Sequence, residues 1–276
     1  MKTLFLGTAS FAVPSLRVVA ARTQLVRVVT RPDRPAGRGL RLTPSAVKRV
    51  ALELGLRVDE PLALRPYAAE LRDEGIDLVV LAAYGRILPQ VLLDLPRLGA
   101  LNVHPSLLPK YRGATPIQAA LLSGDRETGV SIMLMDAGLD TGSVVLAERV
   151  VIGPDETYGE LHDRLARIGA DALAQALDLA DSGELVAAPQ RGEPSLTRPL
   201  AREDLTVDLG WPAQRVVNRV RAYSPRPAAR ASIDGEIVKI LRAHIGPEGR
   251  LVIDELIAPN RGRMSGAAYL QSRRTR

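Results

Sequence analysis

Hydrophobic positions along this chain fall into two rhythms that take turns. Short, nearly unbroken apolar runs at residues 3–8, 25–30 and 77–82 read as strands buried on both faces, the pattern of a parallel sheet. Between them the apolar residues recur at every third or fourth position, which is helical spacing. Pro14 opens such a stretch through Arg22, because proline suits a first helical turn. Thr43 reads as the cap of a helix running through Leu54, and a further helix is predicted over 67–74. Residues 31–42 carry two prolines, two glycines and four arginines, and read as a long exposed loop. A short strand over 100–103, a helix over 117–123, strands over 130–135 and 144–151 and a long helix over 157–180 complete the alternation.

Strands alternating with helices argue for an α/β domain with a mainly parallel sheet covered on both faces. Residues 183–204 lose the periodicity and gain Gly183, Pro189, Gly192, Pro194 and Pro199, so they read as a linker. Beyond it come one helix (212–222) and short alternating stretches at 229–233, 237–243 and 251–257. The expected organisation is a first domain over 1–182, a linker over 183–204 and a small β-rich module over 205–276. A module of about 70 residues is marginal alone and needs packing against other parts of the chain.

Composition changes this picture in two ways. The chain has no cysteine, which removes disulfides, thiolate nucleophiles and cysteine-ligated metals. No apolar run approaches the ~18 residues of a membrane span, and Leu4-Phe5-Leu6 is too short for the apolar core of a signal peptide. A soluble, cytoplasmic protein without membrane attachment is expected. The net charge is +6 over 276 residues. Charges balance over 1–182, so the excess lies in the last third, while Arg31, Arg34, Arg38, Arg41, Lys48 and Arg49 face only Asp33 within their own stretch. Two basic concentrations suggest a polyanion such as nucleic acid, although a solvated basic surface explains the C-terminal one equally well.

Candidate chemistry gathers at strand ends. Asn102 and His104 leave the 100–103 strand on one face, because side chains alternate, and they lie at its carboxyl end, where open α/β sheets bind ligands. Taken alone, the pair equally fits a capped core strand with a hydrogen-bonded histidine. Asp136-Ala137-Gly138-Leu139-Asp140-Thr141-Gly142 is a glycine-rich turn between two strands; an aspartate there can orient an imidazole, or merely shape the turn. Tyr84-Gly85-Arg86-Ile87-Leu88-Pro89 follows the most buried strand and can form a ligand wall or an ordinary loop. Neither a dinucleotide-binding glycine fingerprint nor a phosphate loop is present, and the three histidines have no metal-ligand spacing.

In order along the chain, Gly7 to Pro14, Pro32-Asp33-Arg34-Pro35-Ala36-Gly37-Arg38-Gly39 through Ser45, Ala83 to Pro89, Asn102 to Pro109, Arg112 to Gln118 and Gly138 to Gly142 resemble the 10-formyltetrahydrofolate-dependent formyltransferases. The Pro32–Gly39 loop is most similar to the branch acting on initiator methionyl-tRNA. The resemblance implies a Rossmann-like formyltransferase domain followed by an OB-type, β-barrel-like C-terminal domain that helps to grip tRNA. Ala9 replaces a usual proline, and Ser224-Pro225-Arg226-Pro227 replaces a usual motif with tryptophan. The C-terminal module also looks shortened relative to the family, between Ala243 and Leu251.

What the resemblance implies for function is transfer of the formyl group of 10-formyltetrahydrofolate to the methionine α-amino group on initiator tRNA, by a monomer without a metal. It implies Asn102, His104 and Asp140 as catalytic. It implies Ser106, Leu107, Leu108, Pro109, Tyr84, Gly85, Arg86, Ile87, Leu88 and Asp136 as the folate site, and Arg34, Arg38, Arg41 and Lys48 as tRNA contacts. Asn102 and His104 can stabilise the oxyanion, and Asp140 orients His104. An N-formyltransferase acting on an amino-sugar nucleotide shares the catalytic set without needing the basic loop. A non-catalytic folate- or RNA-binding relative is the remaining alternative.

Overall fold

The computed structural model describes residues 1–36, 39 and 41–274. Its elements, in order, are β1 (Lys2–Gly7), α1 (Ala12–Arg22), β2 (Gln24–Val29), β3 (Arg34–Ala36), β4 (Arg41–Thr43), α2 (Ala46–Glu53), β5 (Val58–Asp59), α3 (Leu64–Glu70), β6 (Leu78–Ala82), α4 (Gln90–Leu93), β7 (Ala100–His104), β8 (Arg112–Gly113), α5 (Pro116–Ser123), β9 (Glu127–Leu134), β10 (Val144–Val151) and α6 (Tyr158–Ser182). There follow β11 (Leu196–Thr197), α7 (Ala213–Tyr223), β12 (Ala229–Ile233), β13 (Glu236–Ile245), β14 (Leu251–Ala258), β15 (Gly262–Ser265) and α8 (Gly266–Arg274).

Seven strands form the central sheet in the order β10-β9-β7-β6-β1-β2-β5. The β7–β6, β6–β1, β1–β2 and β2–β5 pairs are parallel, and β9 runs antiparallel to β7. The reversal follows from register: Leu101 faces Leu134 and His104 faces Ser131, so β9 ends level with the amino end of β7. The apolar runs are buried as their pattern requires, β6 and β7 completely. On one face Leu4, Leu6, Val79 and Leu81 pack with Tyr67, Leu71, Tyr84 and Leu92. Leu16 and Val19 of α1 are fully buried, and each such side chain contributes roughly 1.5–3 kcal/mol. At the β2–β5 edge the Arg27 guanidinium meets Asp59 at 2.9 Å and also Glu74, while the Tyr67 hydroxyl donates to Asp59.

The chain divides into two compact units, both discontinuous in sequence. One contains residues 1–113, 129–149 and 163–196. The other contains 114–128, 150–162 and 197–276. In the second, β12-β13-β14-β15 make an antiparallel four-stranded sheet, and α7 packs on both β13 and α5. The Arg221 guanidinium donates to the carbonyls of Gly153 and Glu156, tying the 150–162 segment to α7. Among the described residues no helix is long and apolar enough to cross a membrane.

Two local expectations are corrected. The 31–42 segment is not wholly loop: β3 and β4 pair as a hairpin, Arg34 opposite Thr43 and Pro35 opposite Leu42. Proline is tolerated because a two-stranded ribbon has only edge strands. The cap of α2 is Ser45, whose Oγ accepts the Lys48 N–H at 3.0 Å, while the Thr43 hydroxyl donates to Arg41 O within the hairpin. The sequence pattern also hid β15 and α8, near the carboxyl end, which lack the strong apolar periodicity of the earlier elements. Replacing Ser45 by alanine is expected to lower unfolding stability by about 1 kcal/mol, with Thr43→Ala nearly neutral; urea denaturation of both variants checks this.

Candidate active site

β7 places Asn102 and His104 on one face, two residues apart, and both are buried. Across that face comes the turn between β9 and β10. It leaves β9 beside Ala100, whose carbonyl accepts the Met135 N–H, and folds back so that Asp140 meets both side chains. Asn102 Nδ2 donates to Asp140 Oδ1 at 3.4 Å, and His104 Nδ1 lies 3.6 Å from Asp140 Oδ2. The Gly113 N–H donates to the same Oδ2 at 2.7 Å. Asp140 stands at φ +52°, a left-handed conformation unusual for a residue with a Cβ. Gly142 is obligatory in this turn, since a Cβ there would lie 1.8 Å from Leu134 O.

The imidazole has one further partner, the Tyr111 carbonyl, 3.0 Å from Nε2. A carbonyl only accepts, so Nε2 carries the hydrogen, and a neutral ring then has its lone pair on Nδ1, beside Asp140. Burial holds His104 below the ordinary histidine value of 6.5; the Asp140 charge and the Tyr111 carbonyl oppose that effect without cancelling it. The ring is therefore neutral near pH 7, with a base at Nδ1 whose protonated form Asp140 favours.

The remaining residues singled out in the sequence lie around this centre in different states. The Ser106 hydroxyl is buried and donates to Lys110 O, and its carbonyl accepts from Ser131 Oγ, which also accepts the Leu108 N–H. Leu107 packs where Gly129 leaves room, and the Leu108–Pro109 peptide is cis. Tyr84 is sunk in the core, its carbonyl accepting from Thr8 Oγ1. Gly85 is exposed, Leu88 is buried and Ile87 stands 84% exposed. Arg86 donates to the carbonyls of Pro61 and Leu62, which fixes the loop bearing Ile87. Asp136 Oδ1 accepts from Gly138 N and Thr141 Oγ1, so it shapes the turn.

In the basic segment, Arg34 and Arg41 are exposed and share one face of the hairpin, with Pro35 and Leu42 on the other. Lys48 differs: its ammonium bonds Asp33 at 2.8 Å and Glu60 at 2.6 Å, and these bonds hold it above the ordinary lysine value. Arg38 lies outside the described residues. Residues 110–113 read in the sequence as a basic ligand loop or plain surface, and the main-chain roles of Tyr111 and Gly113 were not read, because main-chain groups leave no residue-type signal. Sequence reasoning also missed Gln190 and Ser195, which lie in the segment read as linker; Ser195 Oγ accepts the Tyr111 N–H and Ser195 O accepts the Arg112 N–H. Among the described residues no group of three or more His, Cys, Asp or Glu side chains could hold a metal ion.

Comparison with known proteins gives the family of the chain. The formyl transferase family matches residues 1–177, and the formyl transferase C-terminal domain matches residues 199–251. The chain belongs to the formyl transferase family. Among its relatives, the methionyl-tRNA formyltransferase of Heliobacterium modesticaldum (strain ATCC 51547 / Ice1) is 48% identical over 252 residues, covering 90% of this chain and 80% of the relative. That of Thiobacillus denitrificans (strain ATCC 25259 / T1) is 43% identical, covering 99% of this chain and 97% of the relative. The latter alignment spans 301 positions against 276 residues here, so this chain is shortened relative to that protein. An N-formyltransferase from Helicobacter canadensis, in complex with folinic acid and dTDP-3-aminofucose, has the same fold, with a TM-score of 0.69 at 18% identity over 94% of this chain and 95% of that one.

The sign of the His104 shift has a measurable consequence. Its folded-state value lies below 6.5, so as pH falls the unfolded chain takes up the proton first. The stability it contributes is complete above about pH 6.5 and is lost as pH falls below that. NMR titration is expected to find the His104 ring still neutral at pH 6.5, and Asp140→Asn to move its titration further down, since a carboxylate that favours the imidazolium is removed.

Proposed function

We propose that this chain transfers the formyl group of 10-formyltetrahydrofolate to the α-amino group of methionine carried on initiator methionyl-tRNA, in the cytoplasm and as a monomer. The observation that carries the chemistry is the pair of buried side chains Asn102 and His104 set against half-buried Asp140, with a bare Nδ1 and a spare amide hydrogen. The choice of acceptor rests on the named relatives, which are 43–48% identical over most of the chain. The Arg34/Arg41 face agrees with it, since guanidinium groups suit a phosphate backbone and a small sugar nucleotide does not require them.

In this reading the amine nitrogen attacks the formyl carbon, and the carbonyl oxygen becomes an oxyanion. One Asn102 Nδ2 hydrogen goes to Asp140, and the other donates to that oxyanion. His104 Nδ1 takes the proton that the attacking nitrogen releases, and Asp140 stabilises the imidazolium. The bond from carbon to folate N10 then breaks, and the proton passes to N10. No covalent bond to the protein forms. Folate lies against the 84–88 loop, Ser106–Pro109 and the Asp136–Asp140 turn. Ile87 and Leu139, large apolar side chains at 84% and 52% exposure, are surfaces that a flat pteridine would cover. Arg34, Arg41 and Arg38 contact tRNA, and Lys48 braces the base of the hairpin. Residues 1–182 supply the catalytic side chains, 183–204 lead from them towards the C-terminal module while bracing the site through Gln190 and Ser195, and 205–276 add tRNA contacts.

The test is formylation of methionine-charged initiator tRNA with 10-formyltetrahydrofolate as donor. His104→Ala and Asn102→Ala are each expected to lose about 10²–10³ in kcat. Arg34→Ala with Arg41→Ala is expected to raise the KM for tRNA and flatten its salt dependence, leaving folate binding intact. Formylation of an amino-sugar nucleotide instead of tRNA would sink the proposed acceptor.

A further inference from the structure

Asp140 cannot hold its position by its own preferences. Its left-handed backbone is strained and persists only where the surroundings over-determine it. The turn that carries it starts level with the amino end of β7 and must be drawn over that strand to reach His104. A side chain from outside the turn holds its backbone. Gln190 Nε2 donates to Asp140 O and to Gly142 O, both at 2.8 Å. Its Oε1 accepts two bonds from the Arg112 guanidinium, at 3.0 Å from Nε and 2.7 Å from the terminal nitrogen.

All hydrogen-bonding capacity of this amide is thus used, and its orientation is fixed, because only an oxygen can face Arg112 and only an NH2 can face two carbonyls. Arg112 is in turn the middle residue of a short arch. Tyr111 before it accepts from His104 Nε2, and Gly113 after it donates to Asp140 Oδ2. The Gln190–Arg112 clamp therefore joins the segment that holds the imidazole to the turn that carries the carboxylate.

We propose that Gln190, anchored by Arg112, is a positioning residue that sets Asp140 against His104. The inference rests on the reading of His104 and Asp140 as catalytic. Gln190 acts on the backbone of the turn, and its effect on the reaction passes through the Asp140 carboxylate. Glutamate at 190 would keep the Arg112 side of the clamp while turning an oxygen towards the two carbonyls, so it separates the two halves of the contact. Alanine removes both.

The experiment measures kcat, the KM for folate, the pH dependence of kcat and the thermal midpoint for Gln190→Ala, Gln190→Glu, Arg112→Ala and the Gln190→Ala/Arg112→Ala double variant in the full chain. A displacement of about 1 Å can cost about 100-fold. Both Gln190 variants are expected to lose about 10- to 100-fold in kcat, with the KM for folate little changed. The acidic limb of their kcat profile is expected to move to lower pH, as an imidazole deprived of its carboxylate requires. The double variant should be no worse than the poorer single one, because the two side chains act as one clamp. Wild-type kcat and an unmoved acidic limb in both Gln190 variants would overturn the proposal. So would a loss of kcat that follows a lowered thermal midpoint with the limb unmoved, since that is what a merely structural contact gives. An active His104→Ala protein would remove the underlying reading; an inactive one beside normal Gln190 variants would remove this inference alone.

Discussion

A carboxylate set against a buried imidazole is the interaction around which the first compact unit is arranged. Burial by itself makes His104 a weaker base. The negative charge of Asp140, 3.6 Å from Nδ1, opposes that penalty, and in a water-poor site its effect depends steeply on position. The surrounding contacts are understandable as fixing that position. Gly113 and Asn102 bind the carboxylate oxygens, Gln190 binds the Asp140 and Gly142 carbonyls, and Gly142 lets the chain pass close to Leu134.

The sheet topology explains why so many fixings are needed. In a purely parallel sheet the next strand would deliver its loop directly to the carboxyl edge. Here β9 is antiparallel to β7, and its turn emerges at the opposite end. The benefit of the reversal is that the turn lies across the face bearing Asn102 and His104, so the carboxylate approaches both from above. The consequence is strain at Asp140 and dependence on contacts from distant segments.

Most of the sheet was legible in the sequence, because buried parallel strands are continuous apolar runs and their helices keep strict periodicity. Asn102 and His104 were legible for a related reason: polar residues closing an apolar strand on one face stand out. Asp140 could be located in its turn but not placed, since nothing local reveals that the turn folds back over β7. Gln190 was not legible at all. It lies 50 residues from Asp140, in a stretch of prolines and glycines whose composition reads as a connector, and its role exists only in three dimensions. The compact units were equally hidden. That α5 packs on α7 follows from tertiary contacts, whereas residue spacing within either helix shows only which face is apolar.

The basic segment shows that composition alone misjudges charge. Six cations between Arg31 and Arg49 look like one patch, yet Lys48 is paired with Asp33 and Glu60 and is only 19% exposed. A compact ammonium on α2, between two carboxylates, ties the start of β3 to the chain just after β5, at the base of the hairpin. Arg34 and Arg41 are left exposed on one side of that brace, carrying delocalised charge that suits phosphate oxygens. Because acidic and basic residues balance over 1–182, a field from these arginines is local, and it fades over a Debye length of about 8 Å at physiological salt. A polyanion would therefore feel this charge at the hairpin and not over the domain as a whole, and the Lys48 bonds to Asp33 and Glu60 set the base from which the hairpin presents it.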